Sequence, residues 1–438
     1  MANATPRLAD MAANARDLVM HTFRNWPFVP PANQGAGRQQ PIAPGNWLPI
    51  PTADIVMAVG AEGVVHLWCD VNLATQRISD RVVVKHVVSG QARYQDPDNW
   101  VNNQVGGQPL ECHQANIVWA AIPNPAVQHQ QHIQSCLGWG DVVPPHVVPQ
   151  TYQYKLYHEY CSQSSLNRVM KKQPRKKKAG AVRKGRKQFP EPFLWYMFES
   201  LAKACVAMET VYNNNGLVHQ DMHPGNVFFG DPDPTRFAKY PVLKVADFGS
   251  ARELTHQVRT RGPIVQSDPV CLTYAAPENS WLSPIPMHAP FPWEASNMAI
   301  TKKTNIYQVG LIMASAIRLI QPLPENDWRV PPHNYRVPPA DQLHHDPGPA
   351  VGVSELSRAQ LNPGPKKYSD ALINLVIQCL RHNSGNRPFA HVLLQSIQQN
   401  ANFQGMDQIT ATGGPLTAAQ KALCIDMNPD KYEIGKIF

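Results

Sequence analysis

The hydrophobic period of this 438-residue chain changes once, and that change limits the folds open to it. Short β-rich runs come first, at 55–59, 64–68 and 81–88, broken by Gly and polar turns, and 154–160 can add a last strand. They predict an antiparallel meander. After Pro190-Glu191 the period becomes helical, with Leu194, Met197, Phe198, Leu201, Cys205, Met208 and Val211 at three- and four-residue steps before Asn213-Asn214-Asn215-Gly216. Residues 305–319 are apolar almost all round, as a buried central helix must be, and 368–381 carry another helical stripe. Strands first and helices afterwards predict an α+β molecule of two lobes, a small antiparallel β-rich one at 53–161 and a larger, mainly helical one at 162–400.

The remaining segments read as connections. Residues 1–52 hold a short amphipathic helix at 6–25 and then an arm with seven prolines between Trp26 and Pro51, and 401–438 form a C-terminal tail. Ten prolines in 322–365 mark a surface excursion. A basic insertion spans 168–188. Its eleven Lys and Arg, with no acid between Arg168 and Lys187, turn a net charge of −3 into the observed +8. The positive charge therefore describes one loop and not a nucleic-acid-binding face, and no specific nucleic acid is expected. Such a run cannot bury its charge and predicts a disordered loop, serving as a solvated insertion, a nuclear-import signal for an import receptor, or a polyanion contact.

Other classes are excluded. The longest apolar stretch, 309–320, contains Gly310, Ser315 and Arg318 and is too short to cross a bilayer, so no membrane partner is expected. The N-terminus lacks the apolar core of a secretory signal. Eight cysteines lie singly, without C-x-x-C spacing, which suits a reducing, intracellular setting in the nucleus or cytoplasm. His129 and His132 in a Gln-rich loop, and His344-His345 in the excursion, read as solvated histidines and not as metal ligands.

The chemistry is concentrated in Val218-His219-Gln220-Asp221-Met222-His223-Pro224-Gly225-Asn226. Asp247-Phe248-Gly249 follows twenty-one residues after Asn226, and Ala276-Pro277-Glu278 comes later. In order and spacing these resemble the H-R-D-x-x-x-x-N, D-F-G and A-P-E signatures of eukaryotic protein kinases, followed over about 55–400. The wording at 156–161 and 190–195 is similar to kinase-like proteins of filamentous fungi. The resemblance implies a bilobal kinase-like fold, ATP and Mg2+ as cofactors, and transfer of phosphate to a protein hydroxyl, Ser or Thr, in an unidentified substrate.

By the same resemblance Asp221 handles the proton of the attacking hydroxyl, and Asn226 and Asp247 hold magnesium. Lys85 pairs with the phosphates and with Glu111, the only glutamate between Lys85 and Glu159. Ala58-Val59-Gly60-Ala61-Glu62-Gly63-Val64-Val65 fits the phosphate-covering loop with Ala in its first place. Met57 and Val65 then cover the adenine, His158 stands at the gatekeeper place, and the backbone of Glu159 and Cys161 faces the adenine edge. Glu278 is expected to pair with Arg387, and Asn305 stands for the aspartate of the buried helix.

Departures define a second reading. Gln220 replaces the arginine that receives an activation-segment phosphate, and His223 replaces a permanent lysine cation with a group mostly neutral at pH 7. Val270-Cys271 departs at the substrate-recognition segment. These residues favour a nucleotide-binding pseudokinase acting as a scaffold. A small-molecule kinase, whose loop shares the His after Asp, is disfavoured by Ala276-Pro277-Glu278.

Overall fold

The computed structural model describes residues 47–50, 56–60, 63–88, 91–122, 132–141, 153–173, 188–233, 237–255, 274, 276, 278, 300–319, 361, 368–381, 383–401, 403, 417–425 and 430–438. The expected helix at 6–25, most of the basic insertion, nearly all of the Pro-rich excursion, the Ala61-Glu62 turn, Val270-Cys271, His129 and His344-His345 lie outside these residues. Two compact units hold the described residues. One takes those within Met1–Ile117, Gln134–Ser162 and Pro429–Phe438, the other those within Val118–Ile133 and Gln163–Asn428.

The first unit is a six-stranded antiparallel sheet of β1 Trp47–Pro49, β2 Val56–Gly60, β3 Gly63–Asn72, β4 Arg77–Val88, β5 Cys136–Asp141 and β6 Gln153–His158. Its order is β1-β3-β4-β6-β5, with β2 also on β3. The sheet begins before residue 53: Trp47–Pro49, read as arm from its prolines, pairs with Trp68–Asp70, where Pro49 sits on an edge strand that can spare a donor. Strand β4 is buried on both faces, so its valines run without alternation. Val82 and Val84 meet Trp47, Trp68 and Tyr157 on one face, while Val83 meets Ile50, Leu67, Cys69 and Val71 on the other. A bulge where Asp70↔Asp80 gives way to Val71↔Ile78 shifts the parity by one and delivers Ile78 to the second cluster. Helix α1, Leu110–Ala120, carries Glu111.

The second unit is built around α3, Glu191–Thr210, which is buried along most of its length. Against it pack α4 Lys303–Arg318, α6 Ala390–Asn400 and the hairpin strand β9, Phe237–Val245, which pairs with β8, Val227–Asp233. Helices α2 Leu166–Lys172 and α5 Asp370–Cys379 and the short strands β7 Leu217–Val218 and β10 Arg252–Glu253 complete it, with α7 Ala418–Leu423 near the end. The arrangement is α+β in two lobes. No helix among the described residues is long and apolar enough to cross a membrane, and none of the seven described cysteines is in a disulfide.

The tail divides between the units: α7 belongs to the second, and 430–438 belong to the first. His132 corrects the reading of a solvated histidine. It is 3% exposed, its Nδ1 lies 3.0 Å from the carbonyl of Leu243, and its own carbonyl accepts from Val245 N–H at 2.8 Å. Burial first, then the nearby Lys203 cation, push its pKa from the ordinary 6.5 down to about 3. The unfolded chain therefore binds a proton near pH 6.5 that the folded chain refuses until far lower pH, so stability is full above 6.5 and falls as pH drops below it. Between pH 7 and pH 5 the loss from this one group is about 2 kcal/mol. Urea midpoints at the two pH values, compared between wild type and His132→Gln, measure it; an equal acid loss in both proteins would remove His132 as the cause.

Candidate active site

The residues singled out by sequence fall in both units, and each unit builds its own set locally. In the first, β4 places Lys85 opposite Val65 of β3 and Leu156 of β6. Its Nζ lies 2.9 Å from Oε1 and 3.1 Å from Oε2 of Glu111, with both side chains largely buried. A bidentate pair of this kind fixes a cation that would otherwise swing in solvent. His158 Nε2 stands 4.0 Å from the same carboxylate. Gly60 and Gly63 face each other on the last rung of the β2–β3 hairpin, next to its connection, where the missing Cβ atoms leave the backbone approachable. The side chain of Met57 lies outside the described residues, whereas Val65 is half-buried against the cluster that holds Val83.

Following β6, Glu159 N–H donates to Ser135 C=O at 3.1 Å, and its carbonyl accepts from Gln134 Nε2 at 2.8 Å. Cys161 is buried beside it, its Sγ 3.9 Å from Gln134 Nε2.

In the second unit, Asp221, Asn226 and Ala246, the residue before Asp247, are tied together by a closed set of hydrogen bonds. His219 sits at the centre, fully buried. Asp221 N–H donates to its Nδ1 at 3.3 Å, and Nε2 donates to Ala246 C=O at 3.1 Å, which sets the tautomer. Ala246 N–H returns to Asn226 C=O at 2.9 Å, and Asn226 Nδ2 donates to the Asp221 carbonyl at 3.0 Å and to its Oδ2 at 3.2 Å. Burial lowers the His219 pKa, against the opposing pull of Asp221 and Asp247, so the ring stays neutral as those bonds require. The ring of Phe248 lies 4.7 Å from it.

Helix α4 supports this loop from below. Asn305 Oδ1 accepts from His219 N–H at 2.9 Å while its Nδ2 donates to Leu217 C=O at 2.9 Å, a double role that the aspartate it replaces could not fill. Gln308 Nε2 donates to Gln220 C=O at 2.7 Å. Gln220 and Asp247 hold φ of 67° and 65°, a left-handed backbone that non-glycine residues adopt at a cost of about 1–3 kcal/mol. The surrounding bonds keep that strain in place.

His223 is also locked. Gly225 N–H donates to its Nδ1 at 3.0 Å, which in the neutral ring leaves the proton on Nε2, 3.7 Å from Asp221 Oδ2. A Cβ at Gly225 would lie 2.5 Å from His223 Cε1, so the imidazole keeps this place only while 225 is glycine. Asn226 spends its amide nitrogen on Asp221, while its amide oxygen and the Asp247 carboxylate are hard oxygen donors of the kind Mg2+ takes. Among the described residues no group of three or more His, Cys, Asp or Glu is arranged to hold a metal alone. An ion here fits the magnesium pattern of one or two protein ligands supplemented by phosphate oxygens.

Glu278 and Arg387 meet as expected. Arg387 donates to Oε1 and Oε2 at 2.5 and 2.9 Å, both side chains being fully buried, and Thr304 Oγ1 adds a bond to Oε1 at 2.7 Å. Sequence reasoning assigned no role to His219 or Gln308, although the first stands inside the quoted motif. Gln134, far from any motif, gave no signal.

A family model described as protein kinase domain matches residues 143–397. Serine/threonine-protein kinase Nek3 of Mus musculus is 25% identical over 236 residues, 54% of this chain and 34% of that protein. The chain thus spans about a third of that relative's length. Lys85 and Glu111 lie outside the matched family residues, so their pairing stands on the geometry.

Proposed function

Because the chain belongs to the protein kinase family, we propose that it transfers the γ-phosphoryl group of magnesium-bound ATP to a serine or threonine hydroxyl of a protein. The bonded circuit of Asp221, His219, Ala246 and Asn226 carries the reading, because phosphoryl transfer is chiefly positioning and charge neutralisation. Asp221 orients the attacking hydroxyl and takes its proton. Lys85, fixed by Glu111, supplies a cation to the phosphates. Asn226 and Asp247 offer the oxygen ligands, and bound magnesium offsets phosphate charge. Gly60, Gly63, Val65 and the backbone at Glu159 and Cys161 are the nucleotide contacts.

His223 favours a second reading, a nucleotide-binding pseudokinase, since an imidazole held by the Gly225 N–H brings no permanent cation beside Asp221. Binding and transfer are therefore tested separately. A ligand that binds only the native state stabilises it by about 2.7 kcal/mol at 100 times its Kd. ATP with magnesium is expected to raise the melting temperature of the wild type by several degrees, and Asp247→Asn to lose the magnesium-dependent part. An unshifted wild type at millimolar ATP and ADP would sink the nucleotide site.

A further inference from the structure

Residues 430–438 complete the first unit's sheet, 349 positions after the strand they join. Strand β6 pairs with β4 only from Val83 onward, which leaves the edge of β4 before it without a β6 partner. The late segment takes that edge. Ile78 N–H donates to Lys436 C=O at 2.9 Å, Gly435 N–H to Ile78 C=O at 2.8 Å and Phe438 N–H to Gln76 C=O at 2.9 Å, with Arg77 opposite Ile437. A turn closed by Lys436 N–H and Glu433 C=O at 3.0 Å, with Gly435 at φ 87°, sets the approach.

Side chains extend the contact toward the nucleotide residues. Asp430 forms a salt bridge with Arg81, whose Nη1 also donates to Tyr432 C=O at 3.1 Å. The Arg81 guanidinium lies 4.9 Å over the ring of Tyr160, and the Tyr160 hydroxyl donates to Asp430 at 3.5 Å. Burial, then Asp430, raise the pKa of that hydroxyl, so it stays protonated. Tyr160 separates Glu159 from Cys161. Tyr432 and Phe438 pack on the cluster that includes Val83 and touches Val65.

We propose that residues 430–438 are a positioning element of the nucleotide site, acting through Asp430. By clamping Arg81 onto Tyr160, Asp430 fixes the strand that carries Lys85 and the backbone that reads the adenine. The inference rests on the nucleotide reading above.

Asp430→Asn keeps the size of the side chain and removes its charge. It is expected to raise the KM for ATP about tenfold, a loss of about 1.4 kcal/mol, with kcat within twofold of wild type. Amide exchange at 81–88 and 159–161 should rise. A chain shortened after Asn428 should show a larger KM increase, reversed by adding a synthetic 430–438 peptide. A lower melting temperature with unchanged KM and exchange in Asp430→Asn would reduce the segment to a structural strap and overturn the proposal, whether or not the shortened chain folds. Nucleotide binding that is missing already in the wild type marks failure of the underlying reading, and binding that is present and indifferent to Asp430 marks failure of this one.

Discussion

Asp221→Asn lowers phosphate transfer to a protein hydroxyl by about 10²–10⁴-fold, the range expected when a positioned acid–base group is removed. The substitution is nearly isosteric. Asn226 Nδ2 keeps the Asp221 carbonyl as acceptor, and Asp221 N–H keeps His219, so the loop retains its shape. What disappears is the carboxylate that takes the proton, together with the negative charge facing His223 Nε2. ATP-dependent stabilisation should consequently persist while turnover collapses. Transfer from labelled ATP to a generic protein substrate, run beside the thermal shift, reads both. Equal transfer by wild type and variant would assign the wild-type signal to contamination and leave the pseudokinase reading standing.

Arg387→Ala destabilises the second unit by roughly 3–5 kcal/mol, the cost of leaving a buried carboxylate without its partner. Glu278 is enclosed, and its other bond among those described here, from Thr304, is neutral. Arg387 loses more than the pair, since its Nε also donates to Arg381 C=O at 2.6 Å and its guanidinium lies 4.6 Å over the Tyr307 ring. The double change Arg387→Met with Glu278→Gln should recover much of the loss, because no buried charge then stands alone. Chemical denaturation of the three proteins tests the pair; a single-variant loss below about 1 kcal/mol, the level of an exposed ion pair, would contradict it.

Legibility in the sequence followed locality. The long helix and the buried helix were readable because one turn after another repeats the same apolar face. Strands β3 and β4 were readable because their β-branched residues cluster, and β6 because two tyrosines and a leucine stand together in a short run. β1 was hidden by the prolines around it, and β5, with Gly138 and Gly140 in six residues, carries too little side chain to announce itself. Asp221, Asn226 and Asp247 could be singled out because they stand at fixed spacing, and the expected Glu278–Arg387 pair is present. Gln134 on the Glu159 carbonyl and Asp430 on Arg81 were not, since each depends on chain returning from elsewhere. His132 was misjudged because polar neighbours in sequence, Gln130, Gln131 and Gln134, say nothing of the hairpin strand that covers it.

The contact between His223 and Gly225 links two positions as a single heritable character. While the imidazole occupies its place, any side chain at 225 collides with it, so a first step at 225 must swing the ring aside and take the acceptor from its own N–H. A first step at 223, to lysine for instance, removes both the ring and the acceptor of the Gly225 N–H, after which position 225 varies without that collision. The effect of each substitution therefore depends on which came first, and the order that starts at 225 passes through a displaced imidazole beside Asp221.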